Sequence, residues 1–211
     1  MQNYKPIDIS TWKRKAQFEF FKTFESPHFN VTANVNVGPL RAQCKAEGKS
    51  FFMSCVYMAL QTANEIDEFR YRISGDEVWD FETIQAGLTI LQEDETFIYT
   101  TLDYQKDLSS FLTKGKEAIE EQKRTRGFSP HNRLDMVFFS ILPWVSFTSI
   151  QHAMNLSPTV YIPRIVFGKY FEEGEHLKMP VAVQVHHALA DGFHVGKFYQ
   201  LLQKKIDALR D

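Results

Sequence analysis

The sequence predicts an α+β or two-layer α/β fold. Two observations predict it. Segments with the polar/apolar alternation of strands are interleaved with segments whose apolar residues recur at helical spacing, and a late run of strands precedes one closing helix. The 211 residues suit a single domain, 1–211, large enough to bury a proper core. No repeat, low-complexity tract or linker divides them.

Asp8-Ile9-Ser10-Thr11 offers N-cap residues, and Thr11 to Phe24 reads as a helix. Pro27 to Val37 alternates as a half-buried strand. Pro39 to about Glu47 reads as a short helix ended by Gly48. From Ser50 to Phe69, the residues Phe51, Cys55, Met58, Ala59, Ala63 and Ile66 mark a core helix. Tyr71 to Phe81 reads as two short strands around Gly75-Asp76, followed by strands at Ile84 to Leu91 and Phe97 to Leu102. Asp107 to Arg126 is a charged amphipathic helix ending at Gly127, with Lys116, Glu117, Glu120 and Glu121 on a solvated face. Thr159 to His176 leads to a hairpin around Glu172-Glu173-Gly174-Glu175. Pro180 to Val185 enters the core as a strand, and Phe193 to about Leu209 closes the chain as a helix with a buried stripe.

Composition narrows the function. With 24 basic and 26 acidic residues, the chain carries no mark of a nucleic-acid surface or a polybasic membrane anchor. Its two cysteines, Cys44 and Cys55, make no disulfide framework, so a reducing cytoplasm is the expected setting. Met1 to Arg14 has no apolar signal core, and the mostly apolar run Met136 to Phe147 is too short to span a bilayer. The 19 phenylalanines point to an aromatic core, with an aromatic ligand pocket as a second use.

Chemistry concentrates in Gln184-Val185-His186-His187-Ala188-Leu189-Ala190-Asp191-Gly192-Phe193-His194-Val195. His186, His187 and Asp191 fall on a strand-to-helix turn, where a rigid scaffold can hold a reactive side chain at an edge. Gly192 there is free to take any backbone angle the turn demands. A neutral imidazole takes and returns a proton near neutral pH, so the stretch suits general base catalysis. The bland reading is a satisfied polar edge. Metal binding by His186, His187 and His194 lacks a flanking cysteine or carboxylate cluster in zinc-like spacing.

His-His-x-x-x-Asp-Gly followed by Phe-His-Val resembles the active-site signature of the chloramphenicol acetyltransferases of the classical trimeric type. The shorter form is shared with dihydrolipoamide acyltransferase cores and peptide-synthetase condensation domains. Trp12-x-Arg14 with Phe18-Glu19-Phe20 is similar to the start of that family. So is Ser140-x-x-Pro143-Trp144-Val145-Ser146-Phe147-Thr148-Ser149 to its serine stretch. The resemblance runs from Trp12 to the last helix. It implies the coenzyme-A-dependent acyltransferase fold, a two-layer sandwich with a mixed sheet and helices. It also implies a homotrimer with active sites between subunits and acetyl-CoA as co-substrate, without metal.

What the resemblance implies for single residues follows. His187 is the base, and Ser140 of a neighbouring subunit donates to the oxyanion, with Ser146 the alternative donor. Arg14 pairs with Asp191 as a rigid brace. Tyr170, Lys169, Trp144 and Lys49 lie on the coenzyme side. Phe97, in Asp94-Glu95-Thr96-Phe97, lines the acceptor pocket; Phe20, Phe21 and Tyr99 join it, and Tyr99 stands where the family has a small residue. Val166 replaces a usual threonine, which removes a hydroxyl near the oxyanion. The expected activity is O-acetylation of chloramphenicol or a similar small hydroxylated acceptor, with antibiotic resistance the implied context. A dihydrolipoamide acyltransferase, and a coenzyme-A-binding homologue that has lost turnover, are the rival readings. Each bland alternative stands beside these roles: core for Phe97, a surface charge for Arg14, a strand end for Lys169-Tyr170.

Overall fold

The computed structural model describes residues 3–125, 133–154 and 161–210; the helix end expected at Arg126-Gly127 and the strand start at Thr159 lie outside them. The elements run β1 (Tyr4–Pro6), α1 (Lys15–Phe21), β2 (His28–Asn36), α2 (Gly38–Glu47), α3 (Phe51–Asn64), α4 (Asp67–Arg70), β3 (Tyr71–Ser74) and β4 (Glu77–Phe81). They continue β5 (Gln85–Leu91), β6 (Phe97–Leu102), α5 (Leu108–Thr125), β7 (Met136–Leu142), β8 (Arg164–Gly168), β9 (Phe171–Glu173), β10 (His176–His186) and α6 (Gly192–Asp207).

Local chemistry sets most of these boundaries. Ser50 caps α3 by accepting from Met53 N–H, and Gly48 ends α2 at φ 63°, a left-handed angle that favours glycine. Asn64 ends α3 because its side chain turns outward to β5, accepting from Ile84 N–H and donating to Ile84 C=O. The single helix expected over Ser50–Phe69 is therefore two. The helix expected from Thr11 to Phe24 is shorter as well. Asp8 does not cap it: its carboxylate accepts from Ser10 N–H, Ser10 Oγ and Thr11 Oγ1, a local turn that competes with helix, and α1 begins only at Lys15.

A mixed sheet ordered β2-β10-β8-β7-β5-β6, with β9 on β10, forms one layer. β5, β7 and β8 are parallel, and the outer pairings are antiparallel. Strand alternation gives it two distinct faces. On one face Val137, Phe139, Ile165, Phe167, Val181 and Val183 are buried in a common core with Leu60 of α3 and Phe198 of α6. On the other face runs a cross-strand row, Tyr99, Thr89, Ser140, Val166, Ala182. Beside it lies a second row, Gly87, Phe138, Arg164, Gln184, Asn30. Phe138 fits because a Cβ on Gly87 would lie 2.7 Å from its ring.

A smaller sheet, β1-β4-β3, supplies a second core. Ile73 and Val78 pack there with Phe18 of α1 and with Ala188 and Leu189, the residues just past β10. This core anchors the turn that carries His187. Among the described residues no helix is long and apolar enough to cross a membrane, and no group of three or more metal-type ligands occurs.

Candidate active site

β10 ends by parting its two histidines. His186 continues the strand, paired with His28, and is buried. Its Nδ1 accepts from Ala188 N–H at 3.2 Å, and its carbonyl accepts from Leu189 and Ala190 N–H. Burial first, then the nearby His28 and His187, pushes its pKa down to about 3. His186 is therefore a neutral structural group that shapes the turn. His187 points the other way. Its ring stacks on Phe21 at 3.9 Å and lies tilted against Phe29 at 4.7 Å. Its Nδ1 is buried without a hydrogen-bond partner among the described residues, while the residue as a whole is half-buried. The open edge of the ring is thus the one carrying Nε2.

The backbone around His187 is fixed at both ends. Its N–H donates to Pro27 C=O at 2.8 Å, and its carbonyl accepts from Arg14 Nη2 at 3.3 Å. Arg14 Nη1 donates to Asp191 Oδ2 at 2.7 Å. Arg14 does pair with Asp191 as expected, but through one nitrogen only; the guanidinium bridges Asp191 and the His187 carbonyl. Asp191 caps α6 by accepting from Phe193 N–H, and His194 Nδ1 accepts from Asp191 N–H. His194 Nε2 faces Glu68 Oε1 at 3.3 Å. Burial works to raise the Asp191 pKa, but the Arg14 hydrogen bond and the charges of His194 and Arg14 outweigh it and hold it low. Glu68, which sequence reasoning missed, is lowered by the same balance of burial against His194. Gly192 needs no special angle: its φ is not positive, and a Cβ there would meet nothing within 4 Å.

The serine half lies elsewhere on the sheet. Ser140 Oγ is 2.9 Å from Thr89 Oγ1. Val166, directly across from Ser140 on the other flank, is buried and offers no hydroxyl. The neighbouring hydroxyl is Thr89's, from the opposite strand. Ser140 opens on a cavity of about 320 Å³ lined also by Thr89, Tyr99, Phe138, His152 and Arg164. Ser146, the alternative donor, gives its hydroxyl to Lys169 C=O at 2.6 Å.

Register keeps the two halves apart within one chain. Ser140 is level with Ala182 through Val166, two strands away, and His187 lies five residues further on. At strand dimensions that is about 17 Å along β10 and about 10 Å across the sheet. One subunit's Ser140 and His187 cannot serve the same carbonyl.

The family model for chloramphenicol acetyltransferase matches residues 2–203. The chain belongs to the chloramphenicol acetyltransferase family. Chloramphenicol acetyltransferase 3 of Escherichia coli is 31% identical over 208 residues, 96% of each chain, and a chloramphenicol acetyltransferase of Proteus mirabilis is 33% identical over 203 residues, 95% of this chain and 94% of that one. A solved chloramphenicol acetyltransferase superposes with TM-score 0.85 at 31% identity, covering 96% of this chain and 99% of that one. A probable dihydrolipoamide acetyltransferase of Listeria monocytogenes, at 15% identity and TM-score 0.66 over 97% of this chain and 94% of that one, shares the fold. The chain is thus a family acetyltransferase built on the coenzyme-A-dependent acyltransferase fold.

Against that family, the remaining expected residues sort by place. Lys49, with Lys116 and Lys123, lines a groove of about 610 Å³, and Lys49 is paired with Glu47. Phe51, two residues beyond Lys49, meets the half-exposed Tyr170 edge-on at 5.9 Å. Lys169 ties its backbone N–H to Val145 C=O, and Trp144 projects from that turn at 67% exposure. Gly168 lets the turn close, since a Cβ would lie 2.6 Å from Pro180 and 3.0 Å from Val145 C=O. The four aromatics expected in the acceptor pocket form two pairs within the chain: Phe20 packs edge-on to Phe21, which covers His187, and Phe97 edge-on to Tyr99, which lines the Ser140 cavity.

Proposed function

We propose that this chain, as one domain over 1–211, transfers the acetyl group of acetyl-CoA to a hydroxyl of chloramphenicol or a similar small acceptor. It works as a homotrimer in the cytoplasm, each site joining His187 of one subunit to Ser140 of the next. The observation that carries the reading is the separation of those two side chains within a chain whose whole length follows the family. A closed ring of three identical subunits supplies each missing half once. The buried free thiols Cys44 and Cys55 suit a reducing compartment.

In this mechanism His187 Nε2 takes the proton of the acceptor hydroxyl as its oxygen bonds to the thioester carbon. The carbonyl pair moves to oxygen, and Ser140 Oγ–H donates to that oxyanion. Thr89 positions Ser140: its hydroxyl donates to Ser140 Oγ and leaves the serine proton for the oxyanion, the duty the valine at 166 cannot take. The carbonyl re-forms, the carbon–sulfur bond breaks, and the imidazolium returns its proton to the thiolate. Arg14 holds the His187 backbone and Asp191 holds Arg14, so both are positioning residues. Tyr170, Lys169, Trp144 and Lys49 form the coenzyme side. The test is thiol release from acetyl-CoA, first with chloramphenicol and then with dihydrolipoamide. Release with chloramphenicol alone is expected. Release only with dihydrolipoamide, or tight acetyl-CoA binding without release to any hydroxylated acceptor, overturns the reading.

A further inference from the structure

Four of the other arginines engaged by side-chain hydrogen bonds are matched to acid: Arg14 to Asp191, Arg70 to Asp67 and Asp80, Arg124 to Glu121, and Arg133 to Asp135. Arg72, fully buried, is met by four backbone carbonyls, of Leu134, Phe69, Tyr71 and Met136. Arg164 is different. Among the described residues its hydrogen bonds leave from Nη1, to Ala153 C=O at 3.2 Å and to the Met154 thioether at 2.7 Å. A thioether is a weak acceptor, and here Gln184 Nε2 shares it at 3.2 Å. Among the described residues Arg164 has no ion pair, and residues 126–132 and 155–160 contain no acid. Partial burial lowers its pKa, against an opposing pull from Tyr99 in the same cavity.

The surroundings repeat this. His152, in the same cavity, has a buried Nε2 with no partner among the described residues, and burial followed by the Arg164 charge depresses its pKa. A guanidinium and an unspent imidazole nitrogen therefore face one space with the Ser140 hydroxyl. Arg164 pairs with Phe138, two residues before Ser140 on β7, so its backbone lies about 7 Å along the strand from the serine. Among the described residues nothing accepts from Nε or Nη2 of Arg164, and a planar fork of this kind fits a carboxylate with two parallel hydrogen bonds.

We infer that the cavity beside Ser140 selects hydroxylated acceptors that also bear a carboxylate, gripped by Arg164 with His152 beside it. The inference rests on the acetyl-transfer reading and names the acceptor class within it. Arg164 is the specificity-determining residue, and the acid it lacks in the protein is brought by the substrate.

The test uses a matched pair: chloramphenicol, and its analogue with the aryl nitro group replaced by carboxylate. Thiol release gives kcat/KM for each, and calorimetry without acetyl-CoA gives their binding. The wild-type protein is expected to favour the carboxylate about ten- to a hundredfold, the worth of a charge-assisted pair. Arg164→Leu should bring the two compounds within about twofold of each other. Should Arg164→Leu not fold, Arg164→Lys, which keeps the charge but not the fork, should show a partial loss of the preference. Equal handling of the two compounds by the wild-type protein, or a preference that survives in the variants, overturns the inference. A binding preference that follows Arg164 without any thiol release upholds the inference and overturns the acetyl-transfer reading instead.

Discussion

The histidine turn and the serine cavity are built on opposite plans. Around His187 the charges are matched within the protein: Arg14 holds Asp191 and the His187 carbonyl, His194 answers Asp191 and Glu68, and Pro27 takes the His187 N–H, while Arg14 Nε and His187 Nδ1 have no partner among the described residues. Around Ser140 a charge is left over: Arg164 meets no acid among the described residues and leans on a sulfur, and His152 Nε2 is buried without a partner among them. The first arrangement is rigid before anything binds. The second is completed by what binds. A base must be aimed in advance, whereas a pocket that chooses its ligand needs groups still to be satisfied.

The largest effect that tests this division comes from removing the base. His187→Ala is expected to lower kcat for thiol release by roughly 10²–10⁴ with little change in stability, because the side chain makes no hydrogen bond that the fold depends on. Co-refolding His187→Ala with Ser140→Ala chains then sharpens the comparison. If each site takes one half from each of two subunits, about a quarter of the sites in randomly mixed trimers hold both intact groups, and activity returns. No recovery on mixing would mean that one chain carries the whole site, against the register of β10, β8 and β7.

A step smaller is the oxyanion donor. Ser140→Ala should reduce kcat by about 10²–10³ and leave KM for the acceptor nearly unchanged, the pattern of an interaction made in the transition state. Thr89→Val should give a smaller loss of the same kind, because it frees the Ser140 rotor without deleting its proton. An equal loss for both would mean that Thr89 itself contacts the oxyanion.

Much of this was legible in the sequence, and the legible part has one character. Strand alternation and helical stripes depend on burial alone, so β2, α3, β7, β10 and α6 fall close to where their patterns place them. The histidine turn and its brace are legible because the motif residues lie in one short stretch and near the N-terminus. What was hidden depends on register between distant strands. Nothing near Thr89 in the chain says that it faces Ser140, fifty-one positions later, and only the β5–β7 pairing brings them together. Arg164 did carry a local signal, a lone charge opening the apolar run Ile165-Val166-Phe167. The Asp8 turn misled because a capping residue and a local turn use the same side-chain chemistry.

The smallest effect concerns pH, and it separates the two halves by stability. His186 titrates at about 3 in the folded chain, against about 6.5 unfolded, so its contribution is whole above the unfolded value and is lost as pH falls. Below about 6.5 the unfolded chain binds a proton that the folded chain refuses, and stability should decline by about 1.4 kcal/mol per pH unit from this group. His152, also depressed by burial, adds a loss of the same sign. Urea midpoints measured between pH 7 and 4.5 read the sum. His186→Asn keeps an acceptor for Ala188 N–H and removes the titration, so its midpoint should fall less steeply with pH than that of the parent. His152→Asn should flatten the curve too, but less, and a carboxylate acceptor bound beside Arg164 should shrink that share further by favouring the protonated ring. If His152→Asn flattened the curve more than His186→Asn, the serine cavity would be the more tightly sealed half and the contrast between the two regions would be reversed.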